Sequence, residues 1–441
     1  MASAKLTRTN GTATTGNIYT WSAWVKRGAV GSQETLVRTR TDDNNYSRIR
    51  FDSDDTLLFE DRISSSTVTN LISSAKFRDM SAWYHIVVRV DYTQATAGDR
   101  ARIYVNGSEV TYSTTTRQSQ NGSSYFNSAN SHDLGHYNSN NYFAGSMTHV
   151  HFTDGYSYAP STFGETDSTS GIWKPKTSPS VTYGNNGYFL KMENSSDMGE
   201  DSSGNNNDFT TSGTITQTED TPSNNFATLN PLIYITGNST TLSNGNTTVT
   251  SSGASHKNAF SSLGVSSGKW YCEIEVDTLN THQKIGVASD DNVEINKTSP
   301  SEFSGNANGY AYRNDGQIEG GGGSISSYGN SYTNGDIIGI AMDLDNNKLY
   351  FSKNGTFQNS GDPTSGATGT GAAFNLSSDK TYFIAINHYN SNVSDFNFGN
   401  GRFGTTALAS SNSDSAGLGL FEYSVPSGYY ALCTKNIKNY G

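Results

Sequence analysis

At 441 residues the chain is too long for one ordinary domain and suits two or three. It is 33% hydrophobic, 16% charged and 12% aromatic, which argues against disorder, because disordered chains are usually rich in charge and poor in aromatic residues. The formal net charge of −11 argues against a nucleic-acid partner, since phosphate binding needs clustered lysine and arginine. No window approaches the roughly 18 apolar residues that predict a membrane span, and the N-terminal residues do not resemble a secretory signal.

The first half of the chain has the residue pattern of short β-strands. Apolar residues take every second position in 84–90, and the same alternation returns in 101–105. The second run ends at Asn106-Gly107, a dipeptide typical of a hairpin, because a type I′ turn needs positive φ at both central residues. These segments predict antiparallel strands.

The second half repeats this pattern. In residues 270–277, apolar side chains alternate with Tyr271, Glu273, Glu275 and Asp277, whose acids we expect on a solvated face. Further strand-like runs follow at 336–342, 348–351 and 381–387, and the run at 348 again leads into an Asn-Gly pair, Asn354-Gly355. Many short strands with regular turn signals predict an all-β chain of two antiparallel, jelly-roll-like β-sandwich domains joined by an extended polar connector.

Composition sets the expected domain boundaries. Apolar residues are scarce in 193–231, which predicts an extended connector between a first sandwich in 1–192 and a second in 232–405. The aromatic residues of 406–441 predict a C-terminal extension that packs on a sandwich, adding a strand. Cys272 and Cys433, the two cysteines, lie in apolar strand-like contexts and are expected to be buried free thiols.

The second half resembles a SPRY domain. Three motifs carry the resemblance, in the expected order: SSGKWYCEIEVD (266–277), IGVASDD (285–291) and GDIIGIAMDLDNNKLYFSKNGTF (335–357). In SPRY domains the loops at one end of the sandwich bind partners. The resemblance therefore implies a binding module.

The first half resembles a laminin-G or concanavalin A-like sandwich, through TWSAWVKRG (20–28), AWYHIVVRVD (82–91) and FAGSMTHVHFTDG (143–155). Residues 163–176, residues 185–209 and the ending PSGYYALCTKNI (426–437) resemble structural proteins of tailed marine bacteriophages, in which a laminin-G-like module precedes a SPRY-like module. This resemblance implies a virion protein assembled in the host cytoplasm. Its expected partners are other virion proteins and a host-surface glycan or protein, with no membrane insertion and no required cofactor.

The expected function is that of a tail fibre or adhesin, and trimers are favoured because fibre proteins commonly trimerise. A head fibre or capsid decoration protein is the alternative, supported by the lack of coiled-coil heptads in the sequence. A polysaccharide depolymerase is the lesser alternative, since glycoside hydrolysis needs two carboxylates. Glu273, Glu275 and Asp277 alternate strictly, unlike the Glu-x-Asp-x-x-Glu spacing of β-glucanases, so we expect no enzyme.

Candidate ligand-binding residues lie in two stretches of the second half that resemble partner-binding loops, GYAYRNDGQ and NHYNSN. Sugars are held by aromatic faces and by planar amide or carboxylate groups, and both stretches supply such groups. The candidates are Tyr310, Tyr312, Arg313, Asn314, Asp315, His388, Tyr389 and Asn390.

Metal binding has two weaker candidates. Asp197, Asp201 and Asp208 flank an oxygen-rich loop that could hold Ca²⁺, although Asp, Ser and Asn also favour turns by bonding their own backbone. His149 and His151 could bind Zn²⁺, but no third ligand is evident from the spacing. The tetraglycine at 320–323 lacks the Lys-Ser/Thr of a phosphate-binding loop and is expected to be a loop tip.

Overall fold

The computed structural model describes residues 4–137, 141–168, 171–233, 240–298 and 301–441. The chain forms two compact units, Met1–Gln217 and Thr218–Gly441. Each unit consists mainly of antiparallel sheets, which confirms the predicted all-β chain of two sandwiches. Of the helices that the described residues form, none is long and apolar enough to cross a membrane.

The first unit contains these elements within its described residues. In chain order they are β1 (Lys5–Thr9), β2 (Ile18–Arg27), β3 (Glu34–Asp42), β4 (Asn45–Phe51), β5 (Thr56–Ile63), β6 (Ser66–Lys76), β7 (Trp83–Asp91), α1 (Ala97–Arg100), β8 (Ala101–Val105), β9 (Ser108–Glu109), β10 (Tyr112–Thr116), β11 (Ser131–Leu134), β12 (Gly145–Asp154), a 3-10 turn (Pro160–Thr162), β13 (Gly164–Thr166), β14 (Trp173–Pro175), β15 (Tyr188–Leu190) and β16 (Thr210–Ser212).

Two sheets enclose the core of the first unit. One has the order β10-β6-β5-β4-β3-β11-β1-β16 and the other β15-β12-β2-β7-β8-β9. Alternating residues of β2 and β7 point into the core, as the sequence predicts, and pack against apolar side chains of the facing sheet. The inward residues of these two strands are Tyr19, Trp21, Ala23, Val25, Tyr84, Ile86, Val88 and Val90.

The second unit contains the remaining elements. They are β17 (Thr240–Ser243), β18 (Thr248–Ser251), β19 (His256–Val265), β20 (Lys269–Thr278), β21 (Gln283–Ser289), α2 (Asp290–Thr298), a 3-10 turn (Phe303–Gly305), β22 (Gly309–Arg313), β23 (Gln317–Gly320), β24 (Ser324–Ser327), β25 (Ile337–Asp343), β26 (Lys348–Lys353), β27 (Thr356–Phe357), 3-10 turns (Gln358–Ser360 and Gly366–Thr368), β28 (Phe374–Asn375), β29 (Tyr382–Tyr389), β30 (Val393–Asn397), β31 (Arg402–Phe403), β32 (Thr406–Ala407), β33 (Asn412–Ser413), β34 (Leu420–Phe421), β35 (Tyr430–Ala431) and α3 (Thr434–Tyr440).

Two sheets also form the second sandwich. The first follows the order β17-β18-β30-β20-β25-β26-β27, and the second follows β19-β29-β21-β22-β23-β24. Trp270, Cys272, Ile274 and Val276 alternate along β20 and point into the core between the sheets. Cys272 and Cys433 are buried free thiols, as predicted.

Both predicted Asn-Gly hairpins form. Asn106 and Gly107 have φ of 50° and 84° and connect β8 to β9, while Asn354 and Gly355 have φ of 48° and 76° and connect β26 to β27. Positive φ at both central residues is the signature of the type I′ turn, whose twist matches that of the flanking strands.

The segment 193–231 is not a separate connector, because the boundary between the two units falls after Gln217. Its first part belongs to the first unit, where β16 pairs with β1 and Phe209 enters the core. Its last part belongs to the second unit, where Phe226 and Leu229 are buried. The few apolar residues of the segment are enough to anchor both parts.

The C-terminal extension covers the outer face of β20. β35 pairs in parallel with β20, with Tyr430 opposite Trp270, and Phe421 packs edge-on against Tyr271 at 5.0 Å between ring centroids. Tyr271 and Glu273 are consequently buried, which corrects the expectation that the acidic face of this strand is solvated. Of the four residues on this face of β20, only Asp277, beyond the extension, is exposed.

Candidate functional site

Three of the eight predicted ligand-binding residues are part of the core. Tyr310 and Tyr312 lie on β22 and His388 on β29, so they belong to strands, contrary to the expected loops. All three face the inside of the second sandwich and are buried. His388 is bonded there to Gln283 and Ser394, and burial lowers its pKa to about 3. These residues pack the core and cannot meet a ligand.

The other five candidates lie together at one end of the same sheet, around residues 281–283. Of these, Arg313 and Tyr389 also belong to strands, as the last residues of β22 and β29. The backbone N–H of Asn314 donates to Gln283 O at 3.1 Å, and that of Tyr389 donates to His282 O at 3.0 Å. Asp315 is exposed, whereas Arg313, Asn314, Tyr389 and Asn390 are half-buried. The structure therefore gathers two stretches that are more than seventy positions apart.

The outer face of this sheet is divided into an apolar and a polar part. Phe303 and Val293, from the segment between β21 and β22, pack over Phe260, Ala288 and Ala385 of the sheet. The strand ends beyond this cover carry polar and aromatic side chains on the same face. Together with Glu302 from the loop before the 3-10 turn, these side chains form a group that we call the outer-face cluster. It comprises His256, Lys284, Glu302, Arg313, Glu319 and Tyr389.

A chain of ion pairs connects most of the outer-face cluster. Lys284 Nζ lies 2.8 Å from Glu319 Oε2 and also contacts Glu302, while Arg313 Nη1 lies 2.9 Å from Glu319 Oε2. The side chains of Lys284 and Glu319 are 6% and 5% exposed, whereas that of Glu302 is 28% exposed. Arg313 also pairs with Asp315 at 2.9 Å. The network thus runs from a buried pair to an accessible rim.

His256 joins this network to the aromatic part of the cluster. Its Nε2 lies 2.8 Å from Glu302 Oε1, and its Nδ1 lies 2.9 Å from Asn387 Oδ1. Glu302 raises the pKa of His256, and the pKa of Glu302 is lowered to about 2 by the hydrogen bond from His256. The Tyr389 ring contacts two imidazoles, with its centroid 4.8 Å from that of His256 and 6.0 Å from that of His282.

Sequence reasoning missed His256, Lys284, Glu302 and Glu319. They come from three strands and one loop, and no spacing along the chain connects them. A lysine and a glutamate within strands of a mostly apolar sheet were the available signal, because such residues are rarely buried unless paired.

The three candidate calcium ligands serve as turn-forming acceptors, which corrects the predicted site. The Asp201 carboxylate accepts four hydrogen bonds from protein donors, and the carboxylates of Asp197 and Asp208 each accept a backbone N–H. The donors to Asp201 are the N–H groups of Phe189, Ser203 and Asn207 and the hydroxyl of Ser203. Among the described residues, no group of three acidic, histidine or cysteine side chains could hold a metal ion.

The histidine pair of the first unit is likewise structural. His149 takes a left-handed φ of 48° at a bulge in β12, so it does not continue the strand face of His151. His151 is buried and stacks on Phe189, with ring centroids 3.9 Å apart. Its Nδ1 forms a hydrogen bond with the Tyr183 hydroxyl. Burial lowers its pKa well below the usual range, which keeps the ring neutral.

A serine–histidine contact in the first unit has the wrong polarity for a nucleophile. Ser22 Oγ lies 2.9 Å from His85 Nε2, and the Trp173 indole N–H donates to His85 Nδ1 at 3.0 Å. An indole N–H can only donate, so Nδ1 must accept and Nε2 carries the proton. His85 therefore donates to Ser22, whereas a general base would have to accept its proton.

Two family models match the chain. A model described as the concanavalin A-like lectin/glucanases superfamily matches residues 2–158, and a SPRY domain model matches residues 269–401. The chain thus carries a concanavalin A-like module followed by a SPRY module. No curated protein matches it.

Solved structures with similarity include the SPRY domain of human HERC1 and stonustoxin. The HERC1 domain is 19% identical over 36% of this chain and 91% of its own, with a TM-score of 0.29. Stonustoxin is 16% identical over 39% of this chain and 27% of its own, also with a TM-score of 0.29. Similarity at this level says nothing about function, so the proposed function depends on the residues of this chain.

Proposed function

We propose that this chain is a structural protein of a tailed-phage virion, a tail fibre or adhesin that binds a glycan or protein of the host surface. The order of the two modules supports this proposal, and so does the resemblance of residues 163–176, 185–209 and 426–437 to structural proteins of tailed marine phages. In the virion, several copies per particle would multiply weak contacts into firm adsorption, because linked sites gain avidity without new chemistry.

The outer-face cluster is the observation that carries the proposed binding. Tyr389 offers an aromatic surface, and the same cluster offers the planar carboxylate of Glu302 and the planar guanidinium of Arg313. Such groups fit a polar ligand with hydroxyl or amide groups, which an apolar surface would not orient. Because the charged groups already pair with one another, the cluster is preorganised and loses little side-chain freedom on binding.

The surroundings of Glu273 support binding without catalysis. Its carboxylate accepts the backbone N–H groups of Glu422 and Tyr423 at 2.8 and 2.9 Å, beneath the C-terminal extension. A glycosidase acid must reach the glycosidic oxygen of its substrate. Covered in this way, Glu273 has no route to a polysaccharide, which weighs against the depolymerase alternative.

A glycan array probed with the purified 441-residue chain tests the binding. We expect retention of a subset of surface oligosaccharides, and loss of that signal in Tyr389→Ala. Tyr156→Ala is the matched control, because Tyr156 is an exposed tyrosine of the other unit. Uniform absence of binding on the array and on whole host cells, or an equal loss in both variants, would contradict the proposed site.

The position in the particle needs a second experiment. Gold-labelled antibody against the chain, imaged on intact virions, should mark tails if it is a tail fibre or adhesin. Labelling of capsids would instead favour the head fibre or decoration protein, which uses the same two modules for docking. Release of reducing ends from envelope glycans by the purified chain would support the depolymerase alternative.

A further inference from the structure

We propose that Asn121 is a modification site, where the chain deamidates spontaneously to aspartate or isoaspartate. This inference does not depend on the proposed function. Asn-Gly is the dipeptide most open to this reaction, because glycine has no side chain to shield its backbone nitrogen. The sequence contains nine such pairs, all in the described residues, beginning at Asn10, Asn106, Asn121, Asn186, Asn244, Asn308, Asn334, Asn354 and Asn400.

Hydrogen bonds hold the side-chain amides of eight of these asparagines. Asn106 Oδ1 accepts the N–H of His85 at 2.9 Å, and Asn354 Oδ1 accepts the N–H of Ile337 at 2.8 Å. The partners of the other six are Arg8 for Asn10, Gly11 for Asn186, Thr248 for Asn244, Ser377 for Asn308, Leu279 for Asn334 and Phe398 for Asn400.

Asn121 is different. It is exposed, and none of the described residues forms a hydrogen bond with its side-chain amide. Its backbone N–H donates to Tyr92 O at 2.7 Å, while the N–H of Gly122 donates to Ser119 O at 3.1 Å. This last bond, within a surface turn, has to open before the Gly122 nitrogen can react.

The reaction needs no partner other than water. The Gly122 nitrogen attacks Cγ of Asn121, the new C–N bond closes a five-membered imide, and the side-chain nitrogen leaves as ammonia with the displaced proton. Water then opens the imide at either carbonyl, which gives aspartate or isoaspartate. One neutral amide becomes a carboxylate, so the formal net charge falls from −11 to −11 − 1 = −12.

The structure also predicts the local consequence. Isoaspartate lengthens the main chain by one methylene at a residue whose φ is 58° and whose N–H anchors the loop to Tyr92. The neighbouring Gln120 amide donates to Thr93 O at 3.0 Å and depends on the same loop position. We infer that modification loosens this loop, since exposed loop tips tolerate such changes without global unfolding.

Peptide mapping of the intact chain, aged at mildly alkaline pH, tests the proposal. We expect Asn121 to convert faster than Asn106 and Asn354, by about fivefold for each side-chain hydrogen bond that those two must break. In strong urea the three rates should converge, because the protecting bonds are gone. Ageing should also produce a more acidic species on ion exchange, and this species should be missing in Asn121→Gln.

Two results would overturn the proposal. One is equal conversion of Asn121 and Asn354 in the folded chain, which would show that side-chain bonding does not control the rate. The other is an acidic species that forms as fast in Asn121→Gln as in the natural sequence.

Discussion

Asn354 and Ile337 are joined by two hydrogen bonds, one through the side chain and one through the main chain. Asn354 Oδ1 accepts the N–H of Ile337 at 2.8 Å, and the N–H of Asn354 donates to Ile337 O, also at 2.8 Å. Asn106 and His85 form the same two bonds in the first unit, both at 2.9 Å. Each asparagine thus opens a type I′ turn and also closes the end of the preceding strand pair.

Asn354→Ala is expected to destabilise the second unit by about 2–3 kcal/mol. The alanine loses a hydrogen bond worth about 1 kcal/mol and must adopt a left-handed conformation that costs about 1–2 kcal/mol. Asn354→Gly is the matched control, because it loses the bond without the strain and should cost about 1 kcal/mol. Urea unfolding, followed by hydrogen exchange of second-unit peptides, measures both; equal stabilities for the two variants would contradict the strain.

Glu319→Gln should destabilise the second unit by about 3 kcal/mol, because it leaves Lys284 buried with only part of its charge compensated. Lys284 keeps Glu302, so the cost should lie at the lower end for a broken buried pair. Lys380→Ala removes an exposed pair with Asp291 and is expected to leave stability near that of the natural sequence. A similar unfolding midpoint for both variants would refute a stabilising role of the buried pair.

The stability of the second unit should fall as the pH rises through the range in which Glu273 ionises. Burial raises the pKa of Glu273 from its ordinary value of 4.5 to about 7. The protonated group therefore favours the folded state fully below about pH 4.5, and this contribution, about 3 kcal/mol, is lost by about pH 7.

Glu273→Gln should remove that pH dependence, with Asp277→Asn, exposed farther along the strand, as its matched control. Urea unfolding of the second unit at closely spaced pH values between 4 and 8 gives the slope. Hydrogen exchange at Glu422 and Tyr423 reports on the extension that Glu273 holds. An unchanged slope of the unfolding free energy against pH in Glu273→Gln would contradict this prediction.

The first unit should lose stability in acid because of His85. Burial lowers the pKa of His85 from 6.5 to about 3, so the neutral ring stabilises the fold fully above about pH 6.5. That contribution is lost as the pH falls toward 3, at about 1.4 kcal/mol per pH unit.

Nitrogen NMR of the histidine rings should show His85 neutral at pH 5, with its proton on Nε2. Trp173→Phe removes the donor to Nδ1 at 3.0 Å and should cost about 1–3 kcal/mol, because a buried acceptor is left unpaired. A His85 ring that titrates near pH 6.5, or protonation on Nδ1, would be incompatible with the structure.

The fold class, the two sandwiches and the two Asn-Gly turns could all be predicted from the amino-acid sequence. These features depend on local properties, namely the period-two alternation of strands such as 84–90 and the tolerance of Asn and Gly for positive φ. The inward side of β20 was predicted correctly for the same reason, since Trp270 and Ile274 lie on one face of any strand.

The accessibility of individual polar residues depends on tertiary contacts and could not be predicted from the sequence. Tyr312 and His388 are as polar in sequence as Arg313 and Tyr389, yet the first two face the core and the last two the outer side of the same sheet. Glu273 is buried because an extension more than a hundred positions away covers it. Such burial, and the pairing of Lys284 with Glu319, follow from long-range contacts, which local alternation does not encode.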